Sequence, residues 1–143
     1  MKTPAHILVS SILAAILYPI FSWKVLLILA GGVMIDVDHY FWYICKCKKF
    51  SLRGCYSFFT VEAENNKWRH LIGILLIFHT IEFLLLMVVL SLFNQLALIF
   101  TIGLLSHYLL DAIFLYSVPK RLIASTSIIS WIINNSRETQ KFK

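Results

Sequence analysis

Apolar residues run in long blocks along this chain, separated by short polar patches. A transmembrane helix needs about 20 mainly apolar residues. Four blocks approach that length, over residues 4–21, 25–44, 71–93 and 96–116. A fifth, from Leu122 to Ile133, is shorter and rich in Ser and β-branched residues, so it reads as an interfacial or bundle-packing helix. Pro4 suits the first turn of the first helix, and Pro119 suits a stop just past the fourth. The pattern predicts an all-α protein. It is an integral membrane helical bundle of four transmembrane helices plus a short C-terminal amphipathic or interfacial helix, in one domain over 1–143.

Composition agrees. Apolar residues make up 59% of the chain, charged residues 14%, and mean hydropathy is +0.80. A soluble domain is about 45–50% apolar and about 25% charged. A cleaved secretory signal is not expected, because the first apolar run continues past Ala14-Ala15 and no polar mature start follows.

The net charge of +6 is unevenly spread. With the N-terminus in the cytoplasm, twelve of the thirteen basic residues fall inside and Lys24 alone falls outside. The bias predicts a multi-pass protein of the cell inner membrane with both termini cytoplasmic. It also explains the basic loop and tail without nucleic acid, and the aromatic-basic interleaving of single-strand binders is missing. Cys45, Cys47 and Cys55 are odd in number and clustered, which excludes a disulfide framework. Cys-x-Cys with one distant Cys also lacks the spacing of a structural zinc site. Ser51 to Asn66 shows no clear periodicity and is expected on the membrane surface, with Phe58 and Phe59 dipping in. Tyr40, Phe41, Trp42 and Tyr43 form an interfacial belt, and Gly31-Gly32 and Gly103 allow close helix contact.

The polar residues inside the apolar blocks carry the chemistry. Of seven acidic residues, Asp36, Asp38, Glu82 and Asp111 lie within them, as do His6, His39, His79 and His107. A carboxylate near the bilayer centre costs about 2.5–3.5 kcal/mol. Interhelical hydrogen bonds return only about 0.6 kcal/mol each, so pairing alone does not offset four acids. Residues three or four apart share a helix face. Asp36 with His39, His79 with Glu82, and His107 with Asp111 therefore give three helices one imidazole and one carboxylate each. With the orientation above, these groups share a layer about 8–16 Å below the cytoplasmic face. His6 lies shallower. Asp38 points away from Asp36 in a regular helix, and joins the site only if the backbone is irregular there or as a partner orienting a histidine.

Such a mixed set suits a divalent metal, zinc first and manganese or iron next. The candidate ligands are His6, Asp36, His39, His79, Glu82, His107 and Asp111, more than one structural zinc takes. One or two ions are expected, with Asp38 or Glu82 as general acid or base and a metal-activated water as nucleophile. Arg69 and His70 are candidates for phosphate recognition at the mouth of the site, beside the plainer reading as a basic helix flank.

These residues bring a family into view. Thr3-Pro4-Ala5-His6, then Asp36-Val37-Asp38-His39, then Gly103 to Asp111 read as Gly-x-x-Ser-His-x-x-x-Asp, resemble the YdjM-type, LexA-regulated, membrane-bound metal-dependent hydrolases. The resemblance covers most of the chain in order. It departs at Ile35, where the family usually has Pro, and in the middle, where Arg69-His70 and Phe78-His79-Thr80-Ile81-Glu82 replace the family's His-Arg-Gly and Thr-His-Ser type segment. The resemblance implies a membrane-bound metal-dependent hydrolase and leaves the substrate open; the substrate class expected here is a phosphoester of a lipid or amphiphile. The competing reading is a divalent-metal or proton carrier without hydrolysis. Four spans and no inverted repeat are little for a carrier, which would need an oligomer. A metal-stabilised scaffold subunit is the third.

Overall fold

The computed structural model describes residues 3–64, 75–117 and 127–133, and these are all-helical. The helices are α1 (Thr3–Phe21), α2 (Leu26–Val33), α3 (Val37–Cys47), α4 (Leu52–Glu64), α5 (Ile81–Ser91) and α6 (Gln95–Ser117), with a last helical stretch at 128–133. Short 3-10 turns sit at Ser22–Val25, Met34–Asp36 and Ile77–His79.

By length and composition two helical runs can cross a membrane, Thr3–Cys47 and Gln95–Ile113, while Ile81–Ser91 is apolar but shorter. The segment expected over 71–93 is helical only from Ile81 to Ser91 among its described residues, apart from the 3-10 turn. The surface segment after α3, read without periodicity from sequence, forms α4. Ser51 starts it, with its hydroxyl accepting the Gly54 N–H at 3.0 Å.

The chain forms two compact units, where hydropathy shows no boundary. One comprises Met1–Val37 and Leu84–Lys120, the other Asp38–Phe83 and Arg121–Lys143. In the first unit α1, α2 and α6 pack together. Pro19 removes a backbone donor near the end of α1, and Ser22 adopts φ 50°, the left-handed region that ends a helix. The 3-10 turn that follows brings α2 back onto α1. Ala14, Val25, Ile28 and Ile99 make the apolar core there. Asn94 starts α6 by accepting the Leu96 N–H at 2.8 Å, and Lys24 Nζ donates to Gln95 Oε1 at 3.0 Å.

Glycines let α2 and α6 approach backbone to backbone. A Cβ on Gly103 would meet the carbonyl oxygen of Ile28, and one on Gly31 would meet that of Phe100. The polarity of α1 is inverted relative to a soluble helix. His6, Ser10 and Ala14 face inward, while Ile7, Leu8, Ile12, Ile16 and Ile20 are exposed. On α6, Ile99, Gly103, Leu104 and His107 are buried, and Leu98, Leu105, Leu109 and Ile113 are exposed.

In the second unit, α3 and α4 pack through aromatic rings. Trp42 and Tyr43 meet Phe58, and Trp42 also meets Phe59. Phe58 and Phe59 therefore turn toward α3 and Leu76, where the sequence suggested they would dip into lipid. No disulfide joins Cys45, Cys47 and Cys55.

Candidate metal centres

Each unit holds a cluster of polar residues. In the first unit His107 is the centre. It is fully buried, and its Nδ1–H donates to the carbonyl oxygen of Gly32 at 2.9 Å. A carbonyl oxygen only accepts, so the proton sits on Nδ1, and a neutral ring turns a lone pair out at Nε2. That Nε2 lies 3.2 Å from Asp111 Oδ2 and 3.7 Å from Asp36 Oδ1. His6, also buried, places its Nε2 3.2 Å from Asp111 Oδ1. The two imidazoles stack with centroids 4.0 Å apart.

The Nε2 lone pair of a neutral His107 faces carboxylate oxygens, a contact that is attractive only with a proton or a cation between the atoms. A neutral His6 can donate its own Nε2–H to Asp111, so His107 is the ring that calls for such a charge. A divalent cation would take the Nε2 lone pairs of both rings and the carboxylate together. Ligand atoms of His6, His107 and Asp111 lie within 4.8 Å of one another. That is close to the span of two metal bonds of about 2.0–2.2 Å. Beside them, His6 Nδ1 and Ser10 Oγ are buried without a hydrogen-bond partner among the described residues. Buried polar atoms are nearly always paired, so two unpaired ones in an apolar helix interface suit a site with an ionic or polar guest. The donor set fits a divalent metal.

In the second unit Asp38 is the centre. Its Oδ1 accepts the Nδ1–H of His39 at 3.0 Å. Its Oδ2 accepts the Nδ1–H of His79 at 2.9 Å and the backbone N–H of Phe78 at 3.2 Å. The His39 and His79 rings meet edge to face, and Phe59 packs edge-on against His39. One carboxylate thus sets the tautomer and tilt of two imidazoles, the way a carboxylate supports a metal-ligating histidine. Asp38, His39 and His79 also bring ligand atoms within 4.8 Å of one another.

The expected pairs fare differently. His107 and Asp111 meet at i and i+4 because α6 is regular there. Asp36 lies 3.7 Å from His107, and His39 meets Asp38, its neighbour in sequence. The 3-10 turn Met34–Asp36, which follows a Val33 at φ −130°, changes the angular spacing between Asp36 and α3. His79 and Glu82 do not share a helix face. His79 ends a 3-10 turn, Thr80 is extended, and α5 starts only at Ile81. Thr80 Oγ1 instead caps α5, accepting the Phe83 N–H at 3.3 Å.

Glu82 is engaged elsewhere in the second unit. Its carboxylate accepts the Ser127 hydroxyl at 2.6 Å and the backbone N–H groups of Ile128 and Ile129 at 3.1 and 3.4 Å. It satisfies the start of the helical stretch at 128–133 and belongs to none of the groups that could hold an ion among the described residues. Glu82→Gln is accordingly expected to speed hydrogen exchange at Ile128 and Ile129 and to leave metal content unchanged. A loss of bound metal in that variant would return Glu82 to the ligand set. Arg69 and His70 lie outside the described residues.

Sequence reasoning singled out Gly32 only for close helix contact, and Ser10 not at all. Ser10 is four residues from His6 on the same helix, so its face was readable. Gly32 acts through its backbone carbonyl, which leaves no sequence signal.

Comparison with family models, with curated proteins and with solved structures finds no match for this chain.

Proposed function

We propose that the chain is an integral membrane, metal-dependent hydrolase that acts on a phosphoester of a lipid or amphiphile. The observation that carries this reading is the convergence of His6 and His107 on Asp111 in a buried helix interface, with the tautomer of His107 set by Gly32. The outward apolar faces of α1 and α6 support burial in lipid, since contiguous exposed apolar surface is rare on soluble monomers. The proposal extends to four spans with both termini in the cytoplasm, and to the YdjM-type hydrolases as the family it resembles.

His6, His107 and Asp111 would hold the cation, zinc first, with Asp36 completing the set. When bound, a divalent cation supplies Lewis acidity and a nucleophile from water near neutral pH. The chain does the rest. Gly32 keeps the Nδ1 proton of His107 in place and so keeps Nε2 pointed inward. Asp38 holds the Nδ1–H of both His39 and His79, so each of these rings takes up or releases a proton at Nε2. A carboxylate behind an imidazole also stabilises its charged form while it carries that proton.

The test is elemental analysis of detergent-purified wild-type protein, followed by a screen of lipid phosphoesters. The expected result is at least one equivalent of zinc, manganese or iron, and turnover that stops on chelation and returns with added metal. Protein that carries no metal and takes up none on titration would falsify the reading.

A further inference from the structure

We infer that the corner between α3 and α4 is a docking surface for anionic phospholipid headgroups. The corner has two sides of different character. Its inner side is aromatic, with Tyr43, Phe58 and Trp42 in ring contact. The Tyr43 hydroxyl lies so close to Gly54 that a Cβ there would come within 2.6 Å of it, which pins α4 against α3. Lys48 at φ 55° ends α3, and Ser51 starts α4 four residues after Cys47, so the turn is short and defined.

The outer side is the unexplained part. Lys46, Lys48, Lys49 and Arg53 are all exposed, and so are Phe50, Leu52 and Tyr56. Phe50 is 81% exposed and Leu52 71%. No acidic residue interrupts the stretch from Lys46 to Tyr56. Cations alone would serve as a topology signal and need no large apolar neighbours. Phe50, Leu52 and Tyr56 interleaved with four cations match the two layers of a leaflet surface instead. The apolar side chains enter at the acyl boundary, and the ammonium and guanidinium groups stay at the level of the phosphates. Leu52 and Tyr56 are one turn apart on α4, so both can enter together. The inference rests on the membrane reading above and not on the cation.

The experiment places full-length protein in nanodiscs that mix phosphatidylcholine with phosphatidylglycerol, and counts retained lipid by native mass spectrometry. Wild type is expected to retain phosphatidylglycerol about tenfold over its share in the disc. Lys48→Gln, Lys49→Gln and Arg53→Gln together should bring that ratio close to one. The pair Phe50→Ser and Leu52→Ser, which changes no charge, should lower it severalfold. Removing three tail cations, by Arg137→Gln, Lys141→Gln and Lys143→Gln, should leave it unchanged. Circular dichroism confirms that each variant keeps its helices. An unaltered ratio in the corner variants, or an equal loss in the tail variant, would overturn the assignment. Failure of the wild-type chain to enter discs would overturn the membrane reading and this surface with it.

Discussion

His107→Ala is expected to strip the bound cation from the protein and to abolish hydrolysis. The ring is fully buried and supplies the Nε2 that faces both Asp111 and Asp36. Losing a partner behind a ligand weakens metal affinity by about 10–100-fold, so losing the ligand itself should exceed that range. An alanine in this interface also leaves a cavity, which blurs the result. Asp111→Asn is the cleaner companion because it keeps the side-chain shape and removes the charge shared by His6 and His107. Both variants should show metal content near background in elemental analysis while circular dichroism stays helical. Full metal occupancy in Asp111→Asn would rule out the first-unit cluster as the ion site.

Gly103→Leu is expected to prevent the first unit from assembling. A Cβ at this position would come within 2.9 Å of the Ile28 Cα, and that neighbour is backbone, so no side-chain rotation can relieve the contact. Helices α2 and α6 would have to separate, and with them Gly32 and His107. Even Gly103→Ala should destabilise by about 1–3 kcal/mol, the usual cost of forcing extra volume into a packed interface. Leu105, two residues on, provides the control. It is 48% exposed, so Leu105→Ala should change stability by no more than about 0.5 kcal/mol. Thermal unfolding in detergent reads all three, and a Gly103→Leu protein that melts with wild type would show that the close helix approach is not required.

Legibility followed backbone regularity. The blocks expected at 4–21 and 96–116 correspond closely to Thr3–Phe21 and Gln95–Ser117. Both are long and apolar, and neither depends on a distant partner to be helical. The close approach at Gly31, Gly32 and Gly103 was also readable, because a missing side chain in an apolar helix has few other uses. By contrast, the block at 25–44 is interrupted at Met34–Asp36, and the segment before α5 holds a 3-10 turn and an extended Thr80. No Pro or Gly marks those breaks at residues 34–36 or 77–80. The helix face expected to be shared by His79 and Glu82 is lost for that reason, and Asp36 lies in the turn before α3 and not on that helix with His39. Amphipathic α4 was hidden because its inner face is built from aromatics that sequence alone assigns equally well to lipid.

Composition and order along the chain were enough to establish that acids and imidazoles sit within apolar segments, since the number of such residues and the length of each block are local properties. Which carboxylate meets which imidazole was settled by folding. Ligand geometry depends on distances of a few ångströms between side chains far apart in sequence, on a backbone carbonyl at Gly32, and on 3-10 turns that shift angular register. None of these is encoded in the spacing of residue types, because each arises only when separate segments pack against one another.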